Sequence, residues 1–261
     1  MKKIGVFDSG IGGLTVAKAI RNSLPNVPIC YFGDTAHLPY GDKSSELILK
    51  YSQRIIRFLF QQDCDVIVVA CNSASSVLAK HNISEYKSVP IVNVVDPVVD
   101  FLEKESSIKS LGIIGTKATI NSQIYPEKIA NSRKDIKVNT LATPLLAPMI
   151  EEGFITHNIS ELIIKSYLSY PDFYNIDALL LACTHYPLIK GEVQIIKPNV
   201  LVLDNANLTA EHIKKHYSFD DVPLDSKCIS EFFVSDLTQS FEESAKHFFG
   251  ESVVLKEQDL N

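Results

Sequence analysis

Seven apolar runs of four or five residues, each closed by polar residues or glycine, constrain this chain more than any other feature: 4–7, 29–32, 66–70, 91–95, 111–114, 178–182 and 200–203. They are too short for buried helices and lack the strict alternation of a half-solvated sheet. They read as strands covered on both faces, the pattern of a parallel sheet. Helical patterns lie between them. From Ser44, residues Ile48, Tyr51, Ile55 and Leu59 share one helical face, and 161–170 behaves similarly. Strand–helix alternation of this kind predicts an α/β fold with mainly parallel sheets.

The chain also echoes itself. IGVFDSG at 4–10 resembles LGIIGTK at 111–117, and VIVVACNSAS at 66–75 resembles ALLLACTHYP at 178–187. The first echo alone could be chance likeness between apolar strands. The second, in the same order, repeats an apolar run, Ala-Cys and a polar residue. Two similar α/β halves are therefore expected, the second beginning near Pro97. No Pro/Gly-rich linker separates them, and a last amphipathic helix over 241–249 is stopped by Gly250. The expected division is 1–97 with 210–261 as one domain and 98–209 as the other, with an active site in the cleft between.

Net charge is −6 and the lysines are scattered, so a general nucleic-acid surface is not expected. Five cysteines (Cys30, Cys64, Cys71, Cys183 and Cys228) form no C-x-x-C pair, a poor disulfide framework and a poor zinc site. The opening apolar run is too short for a signal peptide, and no run approaches a membrane span. The expectation is a cytoplasmic protein with reduced thiols.

Ligands of open parallel sheets sit outside the carboxyl ends of the strands. Asp8, Cys71, Thr116 and Cys183 stand at or just after such ends. A buried cysteine is usually a small hydrophobe, and Cys30 and Cys64 fit that role. Cys71 and Cys183 differ, because each is followed by a polar pair, Asn72-Ser73 and Thr184-His185. The segment 8–13, DSGIGG, follows a strand and opens a helix, where glycines let the backbone approach an anion. Thr15 stands where the dinucleotide fingerprint wants its third glycine, and a tight turn without ligand explains the segment equally well. Asp8 could simply cap that helix. Tyr40 in the turn LPYGD could be a loop anchor, Glu151-Glu152 a solvated helix end, and His185 a satisfied loop histidine.

Spacing excludes some thiol chemistries. A phosphatase loop needs an Arg six residues after the Cys, where Val77 and Ile189 stand. A papain-like hydrolase gives no reason for a second cysteine in a matching setting. A two-base racemase does. Inverting an α-carbon without a carrier removes a proton from one face and returns one to the other. Thiols suit this, since their ordinary pKa of roughly 8.5 makes both forms reachable.

The motifs DSGIGGLTV (8–16), GDTAHLPYG (33–41), ACNSAS (70–75), GTKAT (115–119) and ACTHYPL (182–188) together resemble bacterial glutamate racemases, in family order and up to about residue 210. The resemblance implies that Cys71 and Cys183 are the acid/base pair, Cys183 deprotonating L-glutamate and Cys71 the D-enantiomer. It implies that Asp8 and His185 assist them, with Glu151 a further carboxylate on the His185 side. Asp8, Ser9, Tyr40, Gly41, Asn72, Ser73, Thr184 and His185 match substrate-binding positions, with Thr116 and Thr119 beside them. It further implies no pyridoxal phosphate, no metal, no other cofactor, a homodimer, and a role supplying D-glutamate for peptidoglycan, while charge and hydropathy leave no nucleic-acid or membrane partner expected. The sequence departs from the family's commonest pattern at Ser73, His37 and Asp204-Asn205.

A carboxylate beside a thiol disfavours thiolate. Asp8 is therefore expected to accept a hydrogen bond that orients or relays the Cys71 proton, while a protonated His185 favours thiolate at Cys183. The rivals are an aspartate or hydantoin racemase of the same superfamily, a non-catalytic binding or regulatory protein that keeps the fold, and a pyridoxal-phosphate enzyme. No lysine is singled out for the last.

Overall fold

The computed structural model describes residues 2–81, 89–155, 158–219, 229–250 and 253–260. Cys228 lies outside them. All seven apolar runs are strands: β1 (Ile4–Asp8), β2 (Ile29–Gly33), β3 (Val66–Val69), β4 (Ile91–Asn93), β5 (Ser110–Gly115), β7 (Ala178–Ala182) and β8 (Leu201–Asp204). Three more strands complete the sheets: β6 (Lys137–Ala142), β9 (Glu231–Val234) and β10 (Leu255–Glu257). One sheet runs β10-β9-β2-β1-β3-β4 and the other β6-β5-β7-β8, with every pairing parallel.

The internal echo has a structural meaning. The order β2-β1-β3-β4 in the first sheet is repeated as β6-β5-β7-β8 in the second, so β1 corresponds to β5 and β3 to β7. Cys71 and Cys183 thus follow equivalent strands of two α/β halves. Double-sided burial explains the unbroken apolar runs. In β7, Leu179 and Leu181 belong to one core cluster while Leu180 belongs to another, on the opposite face. Each such side chain contributes roughly 1.5–3 kcal/mol by leaving water.

Helices carry the chain between strands: α1 (Leu14–Ser23), α2 (Ser45–Gln61), α3 (Asn72–Leu78), α4 (Asp96–Lys104), α5 (Lys117–Asn121), α6 (Ile124–Ser132), α7 (Leu146–Glu151), α8 (Asn158–Leu168), α9 (Lys190–Ile196), α10 (Asn205–His216) and α11 (Gln239–Phe249). Ser44 caps α2 by accepting from the Leu47 N–H. Gly250, at φ 89°, ends α11 as expected. The helix expected over 161–170 ends at Leu168, since Pro171 disfavours helical geometry in the residue before it.

Pro97 lies in the first turn of α4, which leads from the first sheet to the second. α10 leads back, packing on α1 and α4. The largest core cluster includes residues of both sheets, Ile4 and Val6 with Leu179 and Leu181, so the halves share apolar packing. No helix among the described residues is long and apolar enough to cross a membrane.

Candidate active site

Both sheets present their carboxyl ends to one cleft of about 160 Å³, lined by Ser9, Tyr40, Gly41, Cys71, Asn72, Ser73, Thr116, Glu151, Cys183, Thr184 and His185 among others. The topology causes this convergence. Strand–helix turns of a parallel sheet all lie at one end, and the two sheets meet there.

Asp8 ends β1 and is wholly buried. Its Oδ2 accepts from the Gly13 N–H (2.9 Å) and the Gly10 N–H (3.2 Å), so it does brace the turn into α1. Its Oδ1 faces the other half and accepts from the Thr184 hydroxyl at 3.4 Å. Burial raises its pKa above the ordinary carboxylate value, against the opposing pull of His185 and of the Gly13 and Gly10 N–H groups.

The glycines of this turn are needed because side chains from both halves pass close by. A Cβ on Gly12 would sit 2.5 Å from His185 Cε1, and one on Gly13 would sit 2.4 Å from Asp8 Cβ. Thr15 has its own structural task. Its hydroxyl donates to the Gly12 and Thr184 carbonyls at 2.9 and 2.8 Å, tying the first turn of α1 to the opposite half.

Cys71 is the N-cap of α3, 5% exposed, and its Sγ accepts from the Ala74 N–H at 3.5 Å. The thiol donates to Ser9 Oγ at 3.5 Å. The expected acceptor was Asp8, but both Asp8 oxygens face other donors, and Ser9 takes that place. Burial, with the Asp8 charge second, pushes the Cys71 thiol up to about 12. The thiol form therefore dominates at rest.

Cys183 follows β7, and its Sγ lies 3.7 Å from His185 Nδ1. The other ring nitrogen, Nε2, is 2.8 Å from Glu151 Oε1 at the end of α7. Burial opposes the imidazolium, yet the hydrogen bonds to Cys183 and Glu151 outweigh it and hold His185 up at about 10. Phe248 of α11 packs edge-on against the ring, 5.1 Å between centroids. The two thiols thus sit in unlike surroundings, a carboxylate near one and a cation near the other.

The remaining lining combines apolar residues, Leu38, Pro39, Pro144, Ala147 and Pro148, with mostly uncharged polar ones. Ser73 and Thr116 hydroxyls are 2.9 Å apart, and Thr116 donates to Thr119 at 3.0 Å, a chain of hydroxyls that bridges the halves. Gly41 packs against Thr116, where a Cβ would approach to 3.0 Å. The Tyr40 hydroxyl donates to Asp34 at 2.5 Å, and Tyr40 lines the cleft. His37 joins the same carboxylate at 2.8 Å, stacks on Tyr51 and does not line the cleft.

Asn72 Oδ1 accepts from the Tyr125 hydroxyl and from Asn205 Nδ2, both at 2.6 Å, while its Nδ2 has no partner. An unpaired buried donor costs on the order of 1–3 kcal/mol, which a ligand accepting from it recovers. Tyr125 and Asn205 were missed from the sequence as parts of this site. Asn205 stood out as a departure from a common Asp-Ser, but nothing in linear order joined it to Asn72 and Tyr125. Lys117 is the only lysine or arginine among the cleft's described lining residues, and it is exposed and 3.3 Å from Asp42.

Comparison with known proteins gives a consistent result. A family profile described as Asp/Glu/hydantoin racemase matches residues 14–213. The glutamate racemase of Aquifex aeolicus is 40% identical over 255 residues, covering 97% of this chain and 96% of its own length. The crystal structure of glutamate racemase from Francisella tularensis in complex with D-glutamate superposes with TM-score 0.91 at 35% identity, covering 100% of this chain and 98% of that one. An aspartate racemase from Picrophilus torridus shares the fold at TM-score 0.59 and 22% identity, covering 82% of this chain and 94% of that one.

Proposed function

Because this chain belongs to the Asp/Glu/hydantoin racemase family, we propose that it is a glutamate racemase, interconverting L- and D-glutamate with Cys71 and Cys183 as opposed acid/base groups and no cofactor. The observation that carries the reading is the pair of thiols, each following an equivalent strand of an equivalent sheet and both lining one cleft. Glutamate is favoured over aspartate because the 40% identity to a glutamate racemase runs nearly end to end, against 22% to the aspartate racemase.

In the L-to-D direction Cys183 takes the α-proton as thiolate, with the imidazolium of His185 as its counter-charge. Cys71, resting as a thiol, gives a proton to the opposite face. The roles exchange for the D-enantiomer. Charge that develops on the α-carboxylate is met by neutral donors: the Asn72 amide and the Ser73, Thr116 and Thr184 hydroxyls. Asp8 and Ser9 serve the Cys71 side and the substrate's ammonium group. Glu151 holds the proton on His185, and Thr119 supports Thr116. Tyr40 and Gly41 shape the wall.

We assign residues 1–97 with 210–261 to one domain and 98–209 to the other, with glutamate entering between them. The wider reading is a cytoplasmic homodimer supplying D-glutamate for peptidoglycan. Leu145, Phe154, Ile159 and Leu162 of the second half are exposed apolar side chains, as a chain that pairs with a copy of itself would have.

The test is racemisation of each enantiomer pair followed by circular dichroism, with Cys71→Ala and Cys183→Ala. Each substitution should abolish racemisation of glutamate, and in heavy water each single mutant should exchange the α-proton from at most one enantiomer. Turnover that survives both substitutions would remove the mechanism. Racemisation of aspartate with glutamate inert would move the substrate assignment to the aspartate enzymes.

A further inference from the structure

Outside the cleft, α4 and α10 bring together a group the racemase reading does not use. His212 and His216 are one helical turn apart on α10, so their side chains share a face. Asp100 reaches that face from α4. One ligand atom from each of the three residues lies within 4.8 Å of the others.

His212 Nδ1 pairs with Asp100 Oδ2 at 3.0 Å, without the alignment of a strict hydrogen bond. Two atoms bound to one zinc ion at roughly 2.0–2.1 Å and a tetrahedral angle lie about 3.3 Å apart. The observed 3.0 Å is an ion-pair contact a few tenths of an ångström shorter, which a bound ion would open slightly. His216 supplies a third ligand. Its Nδ1 lies 3.0 Å from the His212 carbonyl, and donating to it leaves a lone pair on Nε2. A bond of this kind from the other ring nitrogen fixes the tautomer of metal-binding histidines. The rings lie 4.2 Å apart at 46°, and His216 is exposed.

We propose that Asp100, His212 and His216 form a three-ligand site for a divalent transition metal of the zinc class, clamping α4 to α10. Two imidazoles and one carboxylate suit zinc, cobalt or nickel better than magnesium or calcium, which prefer all-oxygen sites. A water would hold the fourth position. Such a clamp would join the two helices that carry the chain between its sheets, one of which begins at Asn205 beside Asn72. Lys215 lies close enough to Lys104 and to Asp100 to interact with both. The charge of the two lysines opposes a dication, so removing one should tighten binding.

Calorimetric titration with Zn²⁺ tests the proposal, using the full chain with Cys71, Cys183 and Cys228 replaced by Ser so that thiols do not compete. One equivalent should bind, and the thermal midpoint should rise with Zn²⁺ concentration. His216→Ala should weaken binding by at least what an outer-shell partner is worth, roughly 10–100-fold. His212→Ala should do the same, and Lys215→Gln should strengthen binding. His216 is exposed, so its replacement tests the site without threatening the fold. Absence of binding in the parent, or binding unchanged by His216→Ala, overturns the proposal. Neither result depends on whether the cleft racemises glutamate.

Discussion

Replacing Asp8 by Asn isolates the electrostatic asymmetry between the thiols. The substitution keeps the shape of the side chain. The amide oxygen can still accept from Gly10 and Gly13, and the amide nitrogen can donate to Thr184, whose hydroxyl reverses its role. What disappears is the negative charge, the second cause after burial of the high Cys71 pKa, about 12. A neighbouring charge typically shifts a pKa by roughly 1–3 units. Since burial is the larger cause here, the lower part of that range, about 1–2 units, is expected. Well below both pKa values the thiolate fraction rises tenfold per unit. Intrinsic nucleophilicity falls with pKa at a Brønsted slope of about 0.4–0.5, so the net gain is roughly 3–4-fold per unit. Modification of Cys71 by a disulfide reagent, followed by mass spectrometry with Cys183 replaced by Ser, should therefore accelerate roughly 3- to 15-fold. Racemisation cannot report this asymmetry in kcat/KM. The enantiomers have equal free energy in water, so the two directions must keep equal kcat/KM values and differ only in kcat and KM separately. Unchanged or slower modification of Cys71 would refute the claim that Asp8 holds this thiol protonated.

Three further outcomes follow from the same geometry. Glu151→Gln removes one of the two partners that hold His185 near 10, so an NMR titration should find the imidazole pKa lowered; a value that stays put would show that Cys183 alone sustains it. Thr15→Val leaves the Thr184 carbonyl without its cross-half donor and should cost about 1–3 kcal/mol in urea unfolding, with a raised KM; unchanged stability would mean that water replaces the bond. Stability should fall as pH rises. His185 binds its proton more tightly folded than unfolded, so its contribution is complete below its ordinary pKa of 6.5 and is lost as pH passes through about 10. Cys71 adds the same sign between its ordinary 9.0 and about 12, and denaturant midpoints that rise across these windows would contradict both assignments.

Much of the fold was legible because double-sided burial writes itself directly into sequence. Each of the seven apolar runs is a strand, and the two echoes mark equivalent positions in two sheets of one topology. The strands that sequence reading missed are those without that signature. β6 (KVNTLA) is an edge strand, partly exposed throughout, and β9 (EFFV) has only alternate residues buried. β10 keeps one buried residue of three.

The candidate site divides along the same line. Cys71, Cys183, Asp8 and His185 could be selected from sequence because strand-end position in a parallel sheet is a local property, and the motifs around them are local too. Their partners are not. Ser9 rather than Asp8 takes the Cys71 thiol, Thr15 bonds a carbonyl 169 residues away, and Tyr125 and Asn205 hold an amide on another helix. These contacts exist only because two sheets, each specified separately by its own apolar runs, meet with their carboxyl ends together. The sequence by itself determined which residues stand at those ends. The tertiary structure decided which of them share a proton or a charge, because hydrogen bonds and electrostatic shifts depend on ångström-scale separations across the cleft, and periodicity along a chain carries no information about those.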